Sequence, residues 1–430
     1  MIIIVLISFL LMLLLAFPIL AALGTVSVLP TFLDPGFAGN ISYVLRSIVG
    51  GLDSTPIIAI PLFMLSGDIM AKGGISKKLF DIFALLVGKR TAGIPCAVII
   101  TCLFYGAISG SGPATTAAVG GMCIPILVGL GYDKVFSTAL VATAGGLGVI
   151  IPPSIPFVVY GVATGVSVGA LFTAGVLPGI LIAVALMAYA YLYCRRAGED
   201  KARVAENYHA LKERGTFRVL KEGFWALLTP VIILGGIYGG IVTPTEAACI
   251  SVFYALFVSI VIYRTSRWRD ILNFMRGSVA NYAAIIGLLA FANAFSRVIT
   301  LLDAPQLLSE FLNQAFGNKY LFLLVLNLVL LVIGMFMDTG PALAILAPLF
   351  LPAAKALGVD AVHFGIIMVV NLAIGLVSPP FGTNLFVAAA ITKIPSIQIG
   401  KKAIPFLLFF ILALIMITYI PAISLLLGGS

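Results

Sequence analysis

The chain has 430 residues, of which 61% are hydrophobic and only 10% charged, with a mean hydropathy of +1.19 and a formal net charge of +9. Polar residues this scarce cannot cover the surface of a soluble globule, so the composition excludes that class and predicts a polytopic integral membrane protein. A positive balance can signal a nucleic-acid partner, but the placement of the charges gives it a different use.

The opening MIIIVLISFLLMLLLAFPIL has no positively charged leader and merges into a longer apolar run, so Met1 to about Leu29 reads as a first membrane span. Asp34-Pro35-Gly36 and Asn40 mark a turn. A second long span follows from about Ser42 to Met70, interrupted by Pro56 and Pro61. From Lys72 to Arg90 the charges alternate with Leu79, Phe80, Ile82, Phe83 and Leu86 at helical spacing, which predicts a helix lying along the membrane surface. Two apolar pieces, about 91 to 108 and 114 to 131, flank the breaker SGSGP and are each short for a span, so they are expected as the arms of a re-entrant hairpin.

The next helix starts near Lys134, is broken between Gly145 and Pro153, and resumes at Ser154; another span ends at Tyr193. Arg195 to Glu222 is the one clearly hydrophilic segment, expected as a helical cytoplasmic loop. Spans at about 223–241 and 245–263 turn at Thr243-Pro244. A basic piece (Arg264 to Arg276), a span to about Arg297, and a surface helix carrying Asp303 and Glu310 come next. A second hairpin around Asp338 to Pro341, a helix broken at Ser378 to Thr383, and a last span from about Ile404 complete the chain.

The same punctuation occurs twice. Ser111-Gly112-Pro113 returns as Thr339-Gly340-Pro341 at an offset of 228, and Gly131, Asp133, Pro152-Pro153 and Pro178 return as Gly358, Asp360, Pro379-Pro380 and Pro405 at an offset of 227. Breakers holding register over roughly 65 residues point to an internal duplication. If Arg195 to Lys221 is cytoplasmic, alternation of spans also puts Lys72 to Arg90, Lys134, Arg264 to Arg276 and Lys393 to Lys402 inside, and these segments hold 21 of the 25 Lys and Arg. That alternation makes the two hairpins enter from opposite sides, so the repeats are inverted. The basic excess then orients the protein and meets anionic lipid.

Unwound backbone persists at membrane depth where it lines a polar cavity, and secondary transporters use such breaks to hold cations and anionic solutes. Two quasi-symmetric cation sites are expected. Site one takes Ser109, Gly110 and Ser111 with Gly145, Gly148 and Ile151; site two takes Thr339 and Gly340 with Gly375, Val377 and Thr383. The plainer reading of these glycines and hydroxyls is close helix packing. Asp338 commits a carboxylate to membrane depth, where ionisable groups are costly; it suits a cation, a solute hydroxyl, or an ordinary helix N-cap. Ser109, Ser154, Ser378, Thr383 and Asn384 are the uncharged groups expected, with Asp338, to face a polar solute, capping being the alternative for each. Arg46 and Arg297 sit near span ends where snorkelling explains them, Asp68 is ambiguous, and His209 and His363 stand isolated. Cys96, Cys102, Cys123, Cys194 and Cys249 lie in apolar runs without paired spacing, so neither disulfides nor a metal site are implied.

AISGSGPATTAAVGG, GLGVIIPPSIPFVVYG, MFMDTGPALAILAPLFLP and GLVSPPFGTNLFV together resemble the large membrane subunit of TRAP transporters, the tripartite ATP-independent periplasmic family, DctM/SiaM type. The resemblance covers essentially the whole chain. It implies an all-α polytopic membrane protein with inverted repeats, two re-entrant hairpins and two discontinuous helices, an elevator-type, ion-transporter-like fold. On that plan residues 1–70 and 223–263 are scaffold helices. Residues 71–194 form repeat one, mainly transport domain, 195–222 are a cytoplasmic loop, and 264–430 form repeat two. The resemblance further implies Na+-driven import, across the bacterial inner membrane, of an organic acid of the sialic acid or C4-dicarboxylate class. The implied partners are a periplasmic substrate-binding protein and a small four-span membrane subunit, here expected as a separate chain. No P-loop pattern occurs, which agrees with ion-gradient driving.

Two other readings are a self-sufficient Na+-coupled secondary anion transporter and an intramembrane enzyme built on Asp338. The second needs a partner carboxylate or a nucleophile and histidine at matching depth, and the sequence offers neither.

Overall fold

The computed structural model describes residues 1–307, 310 and 318–427, and among these the ordered elements are helical. Nine helices among the described residues are long and apolar enough to cross a membrane, so the protein is a multi-pass membrane protein.

The first apolar run is two helices rather than one span. α1 (Ile2–Leu14) and α2 (Ile19–Leu33) are separated at Ala16, which adopts a left-handed φ of 58°, and at Phe17, which precedes Pro18. A residue before proline is pushed out of the α region and proline has no amide to continue the ladder, so the chain turns despite uniform hydrophobicity. The second run also divides. α3 (Ile41–Leu52) is capped by Asn40, whose side chain accepts the Tyr43 amide at 2.9 Å, and α4 (Thr55–Lys72) starts with Pro56 in its first turn.

α5 (Ile75–Val87) is the amphipathic piece, and it is more buried than a helix resting on a membrane surface. It packs on α6 (Gly93–Ser109) and on α12 (Thr216–Tyr238). α6 and α7 (Gly112–Gly129) are the expected hairpin arms. They are followed by α8 (Lys134–Gly145), a short 3-10 turn (Gly146–Val149), a loop, and α9 (Ile155–Thr164). α10 (Val168–Ala197) and α11 (Lys201–Glu213) lead into α12, and α13 (Pro244–Phe257) runs on into a π turn (Val258–Ile262).

α14 is one 32-residue helix (Asp270–Leu301), so part of the basic piece around Arg276 belongs to it. The surface helix expected around Asp303 and Glu310 falls largely outside the described residues. The second hairpin is α15 (Lys319–Phe336) and α16 (Thr339–Ala356). The second interrupted helix is α17 (Ala361–Gly375) and α18 (Thr383–Thr392), and α19 (Ser396–Tyr419) begins eight residues before the expected Ile404. A short α20 (Ala422–Leu425) follows.

The two hairpins pack alike. α8 lies on α6 and α7, and α17 lies on α15 and α16. The second halves cross over: α9 packs on α16 of the other hairpin, and α18 packs on α7. α10 and α19 pack on each other, α19 also on α8 and α10 on α17. Around this group, α4 packs on α13 and α14, and α14 on α2 and α3.

Candidate functional site

Each hairpin meets its own interrupted helix through a pair of glycines in matching positions. A Cβ on Gly106 would stand 2.7 Å from the Cα of Gly148, and one on Gly334 would stand 3.1 Å from the Cα of Gly375. These pairs keep the 228 and 227 offsets of the sequence, so the two halves seat their breaks through matching contacts.

At the first tip α6 ends at Ser109, Gly110 turns the chain at φ 61°, and Ser111 caps α7 by accepting the Ala114 amide. The hydroxyls of Ser109 and Thr115 lie 2.9 Å apart, and both donate to the Ser111 carbonyl, at 3.3 and 2.8 Å. Gly148 presses on that same carbonyl, and the Gly110 carbonyl accepts the Ile155 amide at 3.2 Å. Ser109, Gly110, Ser111 and Gly148 are thus brought together. Gly145 lies against Thr116 and the Asn384 amide, while Ile151 sits in the loop with its side chain against Gly179 of α10. α4 also packs on the tip, where a Cβ on Gly67 would stand 3.1 Å from the Ser109 Cα. Pro152 and Pro153 remove two amide donors from the loop, so it presents carbonyls without matching N–H groups. Ser154 is fully buried; its hydroxyl donates to the Val149 carbonyl at 2.5 Å and accepts the Phe157 amide, which spends it as a cap.

The second tip is more open. Asp338 caps α16 only through the neighbouring Thr339 amide at 2.7 Å and the Thr339 hydroxyl at 3.4 Å, and its side chain is exposed. Among the described residues, nothing outside its own turn comes within 4 Å of where a Cβ on Gly340 would be. The contacts joining this hairpin to its break run through the first arm, by Gly334 on Gly375 and by Phe336 on Phe381, whose ring centroids are 5.6 Å apart. The two tips therefore differ: one is buried and internally bonded, the other exposes a carboxylate.

In the second break, Ser378 donates back to the Ile374 carbonyl at 2.9 Å, and the Asn384 amide N–H closes on the Leu376 carbonyl beside Val377. The Asn384 side chain reaches into repeat one. Its Nδ2 donates to the Ala142 carbonyl at 3.1 Å, and Gly112 leaves room for it. The oxygens Asn384 Oδ1, Thr383 Oγ1 and Thr116 Oγ1 are buried without a hydrogen-bond partner among the described residues. Buried oxygens of this kind are costly unless something outside the chain satisfies them. Among the described residues no group of three or more His, Cys, Asp or Glu converges. Neutral hydroxyl, amide and carbonyl oxygens are the donor set that suits a monovalent hard cation.

Sequence reasoning missed two features. His363 is not isolated: its Nε2 faces the Thr418 carbonyl at 3.3 Å, Asn327 Nδ2 donates to the Thr418 hydroxyl at 3.1 Å, and Asn371 donates to Asn327 Oδ1. All four side chains are buried, and the signal was an asparagine in each of two apolar runs, LVLNLVLL and VVNLAIG. Glu199 is the second. It accepts the Tyr132 hydroxyl at 2.5 Å and the Ala92 amide at 3.0 Å, holding both feet of the first hairpin beside the end of α10. Burial pushes the Tyr132 phenol well above its ordinary range and the Glu199 carboxylate pushes it further, so it remains a donor.

Hairpins that meet interrupted helices within a shell of spanning helices define a multi-pass permease architecture. The chain belongs to the family described as the tripartite ATP-independent periplasmic transporter, DctM component, which it matches over residues 6–423. It is 42% identical over 422 residues to the isethionate TRAP transporter permease protein DctMQ of Oleidesulfovibrio alaskensis, covering 98% of this chain but 65% of that protein. It is also 42% identical over 369 residues to the C4-dicarboxylate TRAP transporter large permease protein DctM of Pseudomonas aeruginosa, covering 86% of this chain and 85% of that one. The solved YdaH transporter of Alcanivorax borkumensis shares the fold, with a TM-score of 0.63 at 15% identity over 91% of this chain and 88% of that chain.

Proposed function

We propose that this chain is the large subunit of a Na+-coupled importer of an organic acid, working by an elevator movement in the bacterial inner membrane. The observation that supports the reading is the paired seating of the breaks, Gly106 on Gly148 and Gly334 on Gly375, at matching offsets in the two halves of the chain. Opposed entry of the two hairpins, inferred from the charge distribution, makes them inverted repeats.

Ser109, Gly110, Ser111 and Gly148, with Gly145 and Ile151 along the same break, would hold Na+ at site one; Thr339, Gly340, Gly375, Val377 and Thr383 would do so at site two. Bound Na+ supplies positive charge beside the acid and draws on the ion gradient. The residues of this chain do the rest: Ser109, Ser378, Thr383 and Asn384 orient the solute's polar groups, and Asp338 accepts from its hydroxyls. Ser154 supports the first break from behind. α6 to α10 and α15 to α19 form the moving part, α5 is the arm that leads into it, and α1 to α4 with α12 to α14 form the scaffold.

The relatives named for isethionate and for C4-dicarboxylates support a small organic anion, with sialic acid in the same wider class. Family membership supports two partners, a small four-span membrane subunit and a periplasmic substrate-binding protein. The test is uptake in proteoliposomes carrying both partners under imposed gradients. Uptake is expected to require inward Na+ and the binding protein, and Asp338→Ala is expected to lower it at least about tenfold while the complex still assembles. Full uptake without a Na+ gradient would remove the coupling, and full uptake by this chain alone would favour the self-sufficient transporter.

A further inference from the structure

A second polar feature uses no residue of the hairpin tips: α5, the start of α12 and the π turn after α13 line a cleft of about 430 Å³. Lys78 enters it from α5, Arg218, Lys221 and Trp225 from α12, and Tyr263 from the end of the π turn. The Lys78 ammonium sits 4.3 Å above the Tyr263 ring, and the Tyr263 hydroxyl donates to the Glu222 carbonyl, so the three elements are tied at this point.

Charge in the cleft is unbalanced. Glu222 is shared between Lys78 at 3.7 Å, Arg214 at 3.6 Å and Arg218 at 3.1 Å, and Asp81 takes Arg214 at 3.1 Å. Lys221 is exposed and has no ion-pair partner among the described residues, and exposed Arg264 follows directly on Tyr263. Among the residues lining the cleft, one carboxylate, Glu222, thus faces three cations, Lys78, Arg218 and Lys221. Immediately beside this layer the surface turns aromatic and apolar: Trp225 packs edge-on against Phe257 with centroids 6.5 Å apart and against Phe224 at 5.7 Å, and both phenylalanines are about half exposed. A cationic rim directly above an exposed aromatic floor matches a molecule with an anionic head and an apolar tail. A soluble phosphate would satisfy the rim and leave the floor uncovered.

The geometry points to an anionic phospholipid whose phosphodiester lies between Arg218 and Lys221 and whose acyl chain runs over Trp225 and Phe257. The lipid bridges α5 to α12 and α13, and so fastens the piece leading into the first hairpin to its neighbours. This site does not depend on the transport reading, because it uses none of the residues assigned to solute or cation.

The purified full chain in nanodiscs of phosphatidylcholine, titrated with phosphatidylglycerol, tests it by melting temperature and by lipid retained in native mass spectrometry. Phosphatidylglycerol is expected to raise the melting temperature of the wild type, and the Arg218→Gln/Lys221→Gln variant to lose roughly thirtyfold in apparent affinity. Lys221→Gln alone, at an exposed position, is expected to lose roughly fivefold, which keeps the test sharp if the double variant is poorly folded. Equal phosphatidylglycerol retention by wild type and both variants would overturn the site. So would equal stabilisation of the wild type by inorganic phosphate or glycerol 3-phosphate, since that would make it an anion site without a tail.

Discussion

Gly106 and Gly148 meet backbone to backbone: a methyl carbon on Gly106 would stand 2.7 Å from the Cα and 3.1 Å from the nitrogen of Gly148. Neither neighbour is a side chain that could swing aside, so the tip of the first hairpin sits where it does because both positions lack a Cβ. Gly148→Ala would also strike the Ser111 carbonyl, at 2.6 Å from the new carbon. The expected cost is about 1–3 kcal/mol of stability, the usual range for overpacking, with uptake falling alongside. Gly121, with open space at its Cβ position within α7, is the control. Gly121→Ala should melt at or slightly above the wild type, because alanine holds a helix better by about 0.5–1 kcal/mol.

Glu199 holds the other end of the same hairpin. Glu199→Ala leaves the Tyr132 hydroxyl and the Ala92 amide without their acceptor, at an expected cost of about 1–3 kcal/mol. Hydrogen exchange should speed up at the first turn of α6, where Ala92 already has a left-handed φ of 58°. Unchanged exchange there would mean that the clamp does not hold the hairpin.

The pair Asn327 and Asn371 should behave as a unit. Asn327→Leu alone orphans the Asn371 amide inside the bundle and is expected to cost about 1–3 kcal/mol. Replacing both by leucine removes donor and acceptor together, so a double-mutant cycle in thermal melts should show coupling of about 0.5–3 kcal/mol.

Burial pushes the Asp81 carboxyl above its ordinary value, and the Arg214 guanidinium at 3.1 Å offsets this only in part. A carboxyl raised by folding contributes stability below its unfolded pKa and loses it as pH rises through the folded value. Asp81→Asn should therefore gain on the wild type as pH rises through the carboxylate range and hold that gain above it. Arg214→Gln should be the more harmful change at neutral pH, because it leaves the carboxylate without its closest partner. Melting temperatures across that range check both signs.

Hairpins and interrupted helices were legible in the sequence because glycine and proline act locally. Ser109-Gly110-Ser111, Pro152-Pro153 and Pro379-Pro380 break a helix wherever it packs. The family motifs were legible for the same reason. The turn at Phe17-Pro18 was misread as part of a single span: Pro18 carried the signal, but the residues on both sides are apolar and other prolines, such as Pro30, sit inside helices. Asn384 illustrates the harder case. Its partner Ala142 is 242 positions away, and only the crossing of α18 onto α7 and α8 brings them together. His363 looked isolated because Thr418 lies 55 residues downstream and offers a backbone carbonyl, which no side-chain pattern announces. The different exposure of the two tips is likewise a property of packing, since their motifs are near copies.

The exchange of helix halves, with α9 resting on α16 and α18 on α7, has a consequence for biogenesis. Residues 155–164 pack early on α4 and α10, but lack their most extensive seat until residues 339–356 have left the ribosome, so the amino-terminal half waits in the bilayer as an incomplete assembly. The two halves interleave rather than sit side by side as modules, and the protein matures only when its last quarter has been inserted.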